Sequence, residues 1–452
     1  MSQTPLAGRR LHFVGVGGAG MSGLALVAHA LGAEVTGSDR ADSPYCELLR
    51  EAGIEPYLGH DAANVPEGAE VVVSTAIPDD NAELAAARAA GAQVRHRGDL
   101  LGELSRLKRS IAVAGAHGKT TTAAMIARVL LETGRDPAFV VGGEVSPGGP
   151  NARWGEGDWI VAEADESDRS FLKLARDVAV VTNVELDHHA SYRSLGELEE
   201  AFVEFAAPAE VRVLGPGVDL PGEGEALSFG IEGGDVRAED VELRRGGSRF
   251  RVEGSVVELA VPGRHNVLNA LAAIAAVRVA GVPAAEAAPA LASFAGAARR
   301  FEDHGRTPTG ARVVDDYAHH PTEVRATLDA ARTLDPRRLV ACFQPHLYSR
   351  TRALARDFGR ALALADVVVV LDVYPARERA EDFPGVSGLL VAQAAADAAH
   401  GRPVWWLPGM DEAERLLRGE LSEGDLLVTL GAGDVDRLAR ALGQDAAVGA
   451  AP

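Results

Sequence analysis

Short runs of β-branched and aliphatic residues alternate along this chain with alanine- and leucine-rich stretches of helical period. Residues 11–16 read as a strand and 21–31 as a helix; 34–36 and 71–74 are further strands, and 82–90 is a helix. An apolar run too short for a helix and bounded by turn residues fits a strand buried on both faces. Strands alternating with helices predict parallel sheets. The rhythm restarts at 110–114, followed by a helix over 120–132, and again at 312–314, followed by a helix over 323–333. Three restarts predict three α/β units. Between the last two, 211–262 is rich in Val, Gly and alternating polar residues and predicts β-hairpins, an added sheet of the central domain. Breaks at the basic stretch 105–109 and at 294–300 place domains at 1–106, 107–297 and 298–452, with 446–452 a frayed tail.

Composition narrows the class. A formal charge of −20 over 452 residues makes the chain a poor candidate for sequence-independent nucleic-acid binding, which needs a basic surface. With 47% apolar and 24% charged residues, disorder is excluded as the main description. Cys46 and Cys342 are the only cysteines, too few for a disulfide framework or a cysteine zinc site, and they fit a reducing cytoplasm. No apolar signal core opens the chain, and runs such as 367–371 are strand-sized, so no membrane insertion is expected. A cytoplasmic monomer or homodimer follows as the expectation. Only three lysines stand against 42 arginines, so a lysine inside a glycine loop asks for a reason.

Gly15, Gly17 and Gly20 form a G-x-G-x-x-G loop between the first strand and helix, and Asp39 ends the second strand. That is the dinucleotide fingerprint in its required context. Glycines let backbone N–H groups and a helix N-terminus approach a diphosphate, and the acid would accept a ribose hydroxyl. The motif does not choose between NAD and a nucleotide-sugar. Ser74, Thr75, Ala76 and Ile77 follow a later strand and would supply donors at the same sheet edge.

A second loop reads Gly115, Ala116, His117, Gly118, Lys119, Thr120, Thr121. Its amides and Lys119 would hold the β- and γ-phosphates of ATP, and Thr120 would offer its hydroxyl to Mg²⁺. A compact ammonium enters such a loop where a guanidinium fork is too broad, which accounts for the lysine. The full G-x-x-x-x-G-K-[ST] pattern is not met, because Val113 takes the first glycine position. Four acids, Glu163, Asp165, Glu166 and Asp168, end a strand nearby and suit Mg²⁺ ligation; Thr182, Asn183, Glu185, Asp187, His188 and His189 end another. Asn266 and Asn269 share a helix face and offer amides to adenine, although helix N-capping would explain Asn266 alone. In the third unit Asp315, Asp316, Tyr317, His319 and His320, then His346, Arg350 and Arg352, follow strands, where open α/β sheets place ligands. Arg300, Arg350 and Arg352 would meet carboxylate or phosphate.

Together and in this order, these motifs resemble the Mur ligases of peptidoglycan precursor synthesis: 15–23 (GVGGAGMSG), 115–122 (GAHGKTTT), 163–171 (EADESDRSF), 183–188, 263–269 (GRHNVLN), 315–323 (DDYAHHPTE) and 343–350. The resemblance implies a Rossmann-like N-terminal domain, a central P-loop ATPase-like domain with added β structure, and a C-terminal Rossmann-like α/β domain. It implies ATP-dependent ligation of L-alanine to the lactyl carboxylate of UDP-N-acetylmuramate through an acyl phosphate. UDP, not NAD, would then lie on Gly15, Gly17, Gly18, Ala19, Gly20, Met21 and Ser22, with Ser38, Asp39 and Ser74, Thr75, Ala76, Ile77 around it. Thr120 and Glu163 would ligate Mg²⁺, and His188 a second ion. His265, Asn266 and Asn269 would border adenine; Arg300 and Asp316 would reach the nucleotide; Tyr317, His319, His346 and Arg350 would serve the amino acid. Three positions depart from the family pattern: Ala116, Ala190 and Leu347.

Overall fold

The structure is a computed structural model and describes residues 4–145, 149–187 and 191–443. His188, His189 and Ala190, and the tail 446–452, lie outside the described residues.

The chain forms two compact units. The first holds an all-parallel sheet and a larger one that is parallel except where Ala138–Val140 and Ala152–Arg153 pair antiparallel at its edge. In the five-stranded one, the order is Tyr57–Leu58, Glu34–Asp39, Arg10–Val14, Glu70–Val73, Val94–His96, all parallel. The strand order reverses between Arg10–Val14 and Glu70–Val73, the kind of switch point where such sheets bind ligands. The glycine loop at Gly15 and the turn at Ser74 follow those two strands. Phe13, Val16, Leu24 and Val27 bury this sheet against the helix Ala19–Ala30.

The eight-stranded sheet has Arg109–Ala114 at its centre, flanked by Trp159–Glu163 and Val178–Val181. Val178–Val181 is fully buried, as a strand covered on both faces should be. These three adjacent strand ends carry the second glycine loop, Glu163 and Asn183. The segment 211–262 departs from the hairpin expectation. Val211–Leu214 and Glu225–Gly230 pair in parallel and extend the eight-stranded sheet. Only Glu239–Arg244, Gly247–Val252 and Ser255–Leu259 make antiparallel hairpins, and they group with the second unit. Val211–Leu214 is buried throughout, whereas Glu239–Arg244 is mostly exposed; composition blurred that difference.

The second unit also contains a six-stranded sheet, ordered Glu302–Arg306, Arg312–Asp316, Asp425–Leu430, Arg338–Phe343, Val367–Val370, Val404–Trp406. Its third helix-strand restart is as read from the sequence. Helix Pro321–Arg332 opens with proline in its first turn and a capping box between His320 and Glu323. No helix among the described residues is long and apolar enough to cross a membrane.

Candidate active site

The first glycine loop is held by its neighbours rather than by its own side chains. Gly15 and Val16 N–H donate to the Ser38 carbonyl at 2.8 and 2.9 Å. Gly17 N–H donates to Asp39 Oδ2 at 2.9 Å, and Ser43 Oγ donates to the Gly17 carbonyl at 2.9 Å. Asp39 thus clamps the loop as well as ending its strand. Gly18 caps the helix in extended conformation, and Ala19 and Gly20 open it. Met21 and Ser22 point inward: Met21 joins the core, and Ser22 Oγ donates to the Ala19 carbonyl at 3.0 Å. Their backbone N–H groups both donate to the Gly18 carbonyl, at 3.0 and 2.9 Å. The Ser38 hydroxyl is turned away, donating to buried Glu83 at 2.5 Å. Ser74 folds a turn, accepting from Ala76 N at 3.3 Å, and Ile77 Cδ1 packs beside Gly15; Thr75 lies within that turn.

The second loop is braced from the neighbouring strand end. His117 N–H donates to Asn183 Oδ1 at 2.9 Å, while the His117 carbonyl accepts from Thr182 Oγ1 at 2.6 Å and Asn183 Nδ2 at 2.9 Å. Ala116 N–H donates to the Asn183 carbonyl at 3.3 Å, so alanine there leaves the backbone cradle formed. His117 Nε2 lies 3.1 Å from Glu185 Oε2. Gly118 has φ +81°, and a Cβ there would strike Asn269, so only glycine lets the loop close on that amide. Helix Lys119–Glu132 starts at once. Thr121 is buried in its first turn, and Thr122 donates to Asn269 Oδ1 at 3.3 Å.

Lys119 Nζ donates to the Gly115 carbonyl at 2.6 Å and to Glu166 Oε1 at 3.0 Å. Burial disfavours this ammonium, but Glu166, Asp165 and Glu163 together raise its pKa above the ordinary value. Thr120 Oγ1 donates to Glu163 Oε1 at 3.0 Å, and Glu163 Oε2 accepts from Gly142 N at 2.7 Å. Hydroxyl and carboxylate side by side at the start of the P-loop helix suit a hard cation with oxygen ligands. The other acids of the cluster have different work. Glu166 serves Lys119, and Arg97 Nη2 pairs with Asp165 at 2.5 Å and lies 3.5 Å from Asp168. Burial opposes ionisation of Asp165, yet Arg97 and Lys119 hold its carboxyl well below the ordinary range.

The second unit gathers the third polar cluster. Tyr317 has the Arg299 and Arg300 guanidinium carbons each 5.1 Å from its ring. The rings of Tyr317 and His319 lie 5.2 Å apart, and those of His319 and His346 6.0 Å apart. Arg350 Nη1 lies 3.2 Å from His346 Nδ1, and its Nε donates to Asp187 Oδ1 at 2.6 Å. The structure therefore brings Tyr317, His319, His346 and Arg350 together and adds Asp187. Asp316 accepts from Phe301 N at 2.9 Å and Ala318 N at 2.8 Å; burial pushes its pKa up to about 6. Arg300 lies 3.7 Å from Glu323, and half-buried His265 is pushed down to about 4. Asn266 Nδ2 donates to the Pro262 carbonyl at 2.8 Å from inside the helix, so it is not an N-cap. Leu347 is buried at φ +68°, just before helix Tyr348–Leu362.

Three family models match along the chain: the Mur ligase family catalytic domain over residues 10–109, the Mur ligase middle domain over 113–277, and the Mur ligase glutamate ligase domain over 299–433. The chain belongs to the Mur ligase family. Mur ligases are ATP-dependent, which agrees with the braced loop around Lys119. This Mur ligase is 45% identical over 454 residues to the UDP-N-acetylmuramate–L-alanine ligase of Rubrobacter xylanophilus, covering 95% of this chain and 98% of that one. Among solved structures, it is similar to the UDP-N-acetylmuramate-alanine ligase of Thermotoga maritima (TM-score 0.83, 31% identity, 96% of this chain and 98% of that one). It is also similar to a murein peptide ligase of Psychrobacter arcticus (TM-score 0.73, 25% identity, 98% of this chain and 100% of that one).

Arg97, Glu166, Asp187 and the Thr182–Asn183 brace were not assigned these roles from sequence. The last three lie in motifs that were noticed. Arg97 is one arginine among 42 and carries no local signal.

Proposed function

We propose that this chain joins L-alanine to the lactyl carboxylate of UDP-N-acetylmuramate, converting ATP to ADP and phosphate, in cytoplasmic peptidoglycan precursor synthesis. The observation that carries this reading is 45% identity over nearly the full length of an alanine-adding ligase. The site chemistry supports it. A carboxylate acylates amines poorly, so the γ-phosphoryl group is first transferred to it, giving an acyl phosphate and ADP. The alanine amine attacks the acyl carbon, and the tetrahedral intermediate expels phosphate. The first step is mostly positioning and charge neutralisation. Lys119 and the P-loop amides hold the phosphates; Gly15 to Ser22 and the Ser74 turn hold the UDP diphosphate. His265, Asn266 and Asn269 border adenine; Arg300 and Asp316 reach the nucleotide; Tyr317, His319, His346 and Arg350 receive the amino acid. These roles follow the domain division 1–106, 107–297 and 298–452.

Thr120 and Glu163 would hold Mg²⁺, and His188 a second ion. Bound there, the metal supplies positive charge against the crowded phosphates. Glu163→Gln should raise the Mg²⁺ concentration for half-maximal ADP release by about tenfold, the equivalent of roughly 1.4 kcal/mol. An unchanged Mg²⁺ dependence removes Glu163 from the metal site.

The similarity to a murein peptide ligase raises one alternative acceptor, a preformed peptide. ADP release with UDP-N-acetylmuramate, scanned over free amino acids and a tripeptide, decides between them. L-Alanine should give the highest kcat/KM. Preference for the tripeptide, or no ADP with any free amino acid, overturns the proposal.

A further inference from the structure

Arg97 opens the helix Arg97–Ser105 directly after the edge strand Val94–His96. Its Nη2 serves Asp165 and approaches Asp168. Among the described residues, neither Nη1 nor Nε has a hydrogen-bond partner. A Cβ on Gly20 would stand 2.9 Å from Nη1. The last glycine of the first loop therefore lies directly against the guanidinium.

A cavity of about 100 Å³ is lined by Gly20, Arg97, Gly142, Glu163, Asp165 and Ser170, among others. It touches the first glycine loop through Gly20 and the Thr120–Glu163 pair through Glu163. Among the described residues, Arg97 is the only cation on its wall, facing two acids. On the ligase reading, the acid that accepts the γ-phosphoryl is tethered to a diphosphate on the first loop and must reach the Thr120–Glu163 pair. This cavity borders both places. An anion entering it meets Glu163 and Asp165 and needs a compensating charge with a donor to spare.

We propose that Arg97 binds the sugar-borne carboxylate through Nη1 and presents it to the γ-phosphoryl group. This rests on the ligase reading. It assigns a substrate-binding role to a residue outside every glycine loop.

The test compares wild type, Arg97→Ala and Arg97→Lys of the full chain by equilibrium titration. The probes are UDP-N-acetylmuramate, UDP-N-acetylglucosamine, which has the same diphosphate but lacks the lactyl acid, and ATP. Arg97→Ala should weaken UDP-N-acetylmuramate by roughly 10- to 100-fold, the range for one charge-assisted hydrogen bond. UDP-N-acetylglucosamine and ATP should change by less than about twofold, a shift small enough to leave their contacts unassigned to Arg97. Arg97→Lys, which keeps the charge, should recover part of the loss and serves as the test if the alanine variant does not fold. Equal losses for both UDP-sugars place Arg97 on the diphosphate and overturn the proposal. So does an unchanged affinity, or a loss confined to ATP, either of which leaves Arg97 as a brace for Asp165 and Asp168. If wild type fails to bind UDP-N-acetylmuramate at all, the ligase reading itself falls, a result separable from all the others.

Discussion

In the first unit, half-buried Lys119 and Asp165 stay ionised; in the second, half-buried His265, His319 and His346 and buried Asp316 are shifted toward neutrality by loss of solvent. Around Lys119 each buried charge has an opposite partner, so its pKa rises while that of Asp165 falls. Burial pushes His265 and His319 to about 4 and His346 to about 3, with Arg300 or Arg350 adding to the effect. Burial lifts Asp316 to about 6 despite Arg300. The contrast separates two demands. A phosphate site needs fixed positive charge at every working pH. A cluster that receives an amine for nucleophilic attack gains from surroundings that disfavour the ammonium form. On the proposed reading, one chain meets both by pairing charges around Lys119 in one unit and holding three histidines neutral beside the Arg350–Asp187 pair in the other.

The largest effect should come from removing the fixed charge. Lys119→Ala is expected to lower ADP release by about a thousandfold or more, since a preorganised cation at the transferred phosphoryl supplies transition-state stabilisation. Lys119→Arg should recover little, because a guanidinium fork is broader than the ammonium that donates to the Gly115 carbonyl at 2.6 Å. Wild-type turnover in the alanine variant would end the phosphate assignment and the contrast with it.

The neutral cluster makes a pH prediction with a definite sign. A histidine whose folded pKa lies below its unfolded value of about 6.5 contributes stability above that pH and loses it as the pH falls toward the folded value. For His265 and His319 the window runs from about 6.5 down to about 4, and for His346 to about 3. Each should cost on the order of 1–2 kcal/mol between pH 7 and pH 5. Asp316 has the opposite sign: its raised pKa returns about 1 kcal/mol over the same interval. The net is destabilisation of a few kcal/mol on acidification, read from urea unfolding at the two pH values. His265→Gln and His319→Gln should each flatten the dependence. A midpoint that rises on acidification would show that Asp316 outweighs the histidines.

Much of this was legible in the sequence. The alternation of short apolar runs with helical stretches predicted the parallel strands at the heart of three sheets, though not the antiparallel edge pairs of two of them, and both glycine loops fell between a strand and a helix as read. What was not legible depends on tertiary approach. Nothing local distinguishes Glu163, beside Thr120, from Glu166, which pairs with Lys119; their strand-end geometry does. Ser38 and Asp39 are adjacent, yet alternation along an extended strand sends the Ser38 hydroxyl to buried Glu83 and the Asp39 carboxylate to the loop. The parallel pairing of Val211–Leu214 with Glu225–Gly230 was hidden because a valine-rich run fits a hairpin or a crossover equally well until its partner is known.

The smallest predicted effect concerns Asp39, where the loop clamp and the ribose contact expected from the fingerprint give different outcomes. Its Oδ2 accepts from Gly17 N at 2.9 Å, so in the free protein the carboxylate organises the first glycine loop. If that is its main work, Asp39→Ala should weaken UDP and 2′-deoxy-UDP alike, by roughly 3- to 10-fold, less than a full charge-assisted bond because the lost bond orders the loop and does not touch the ligand. Asp39→Asn, which keeps an acceptor oxygen, should lose less. If the carboxylate instead reads the ribose, wild type should prefer UDP over the deoxy form and the alanine variant should lose that preference while binding the deoxy form as before. The ratio of the two affinities, wild type against variant, therefore separates a residue that shapes the cradle from one that touches its ligand, and an unchanged ratio with both affinities reduced favours the clamp.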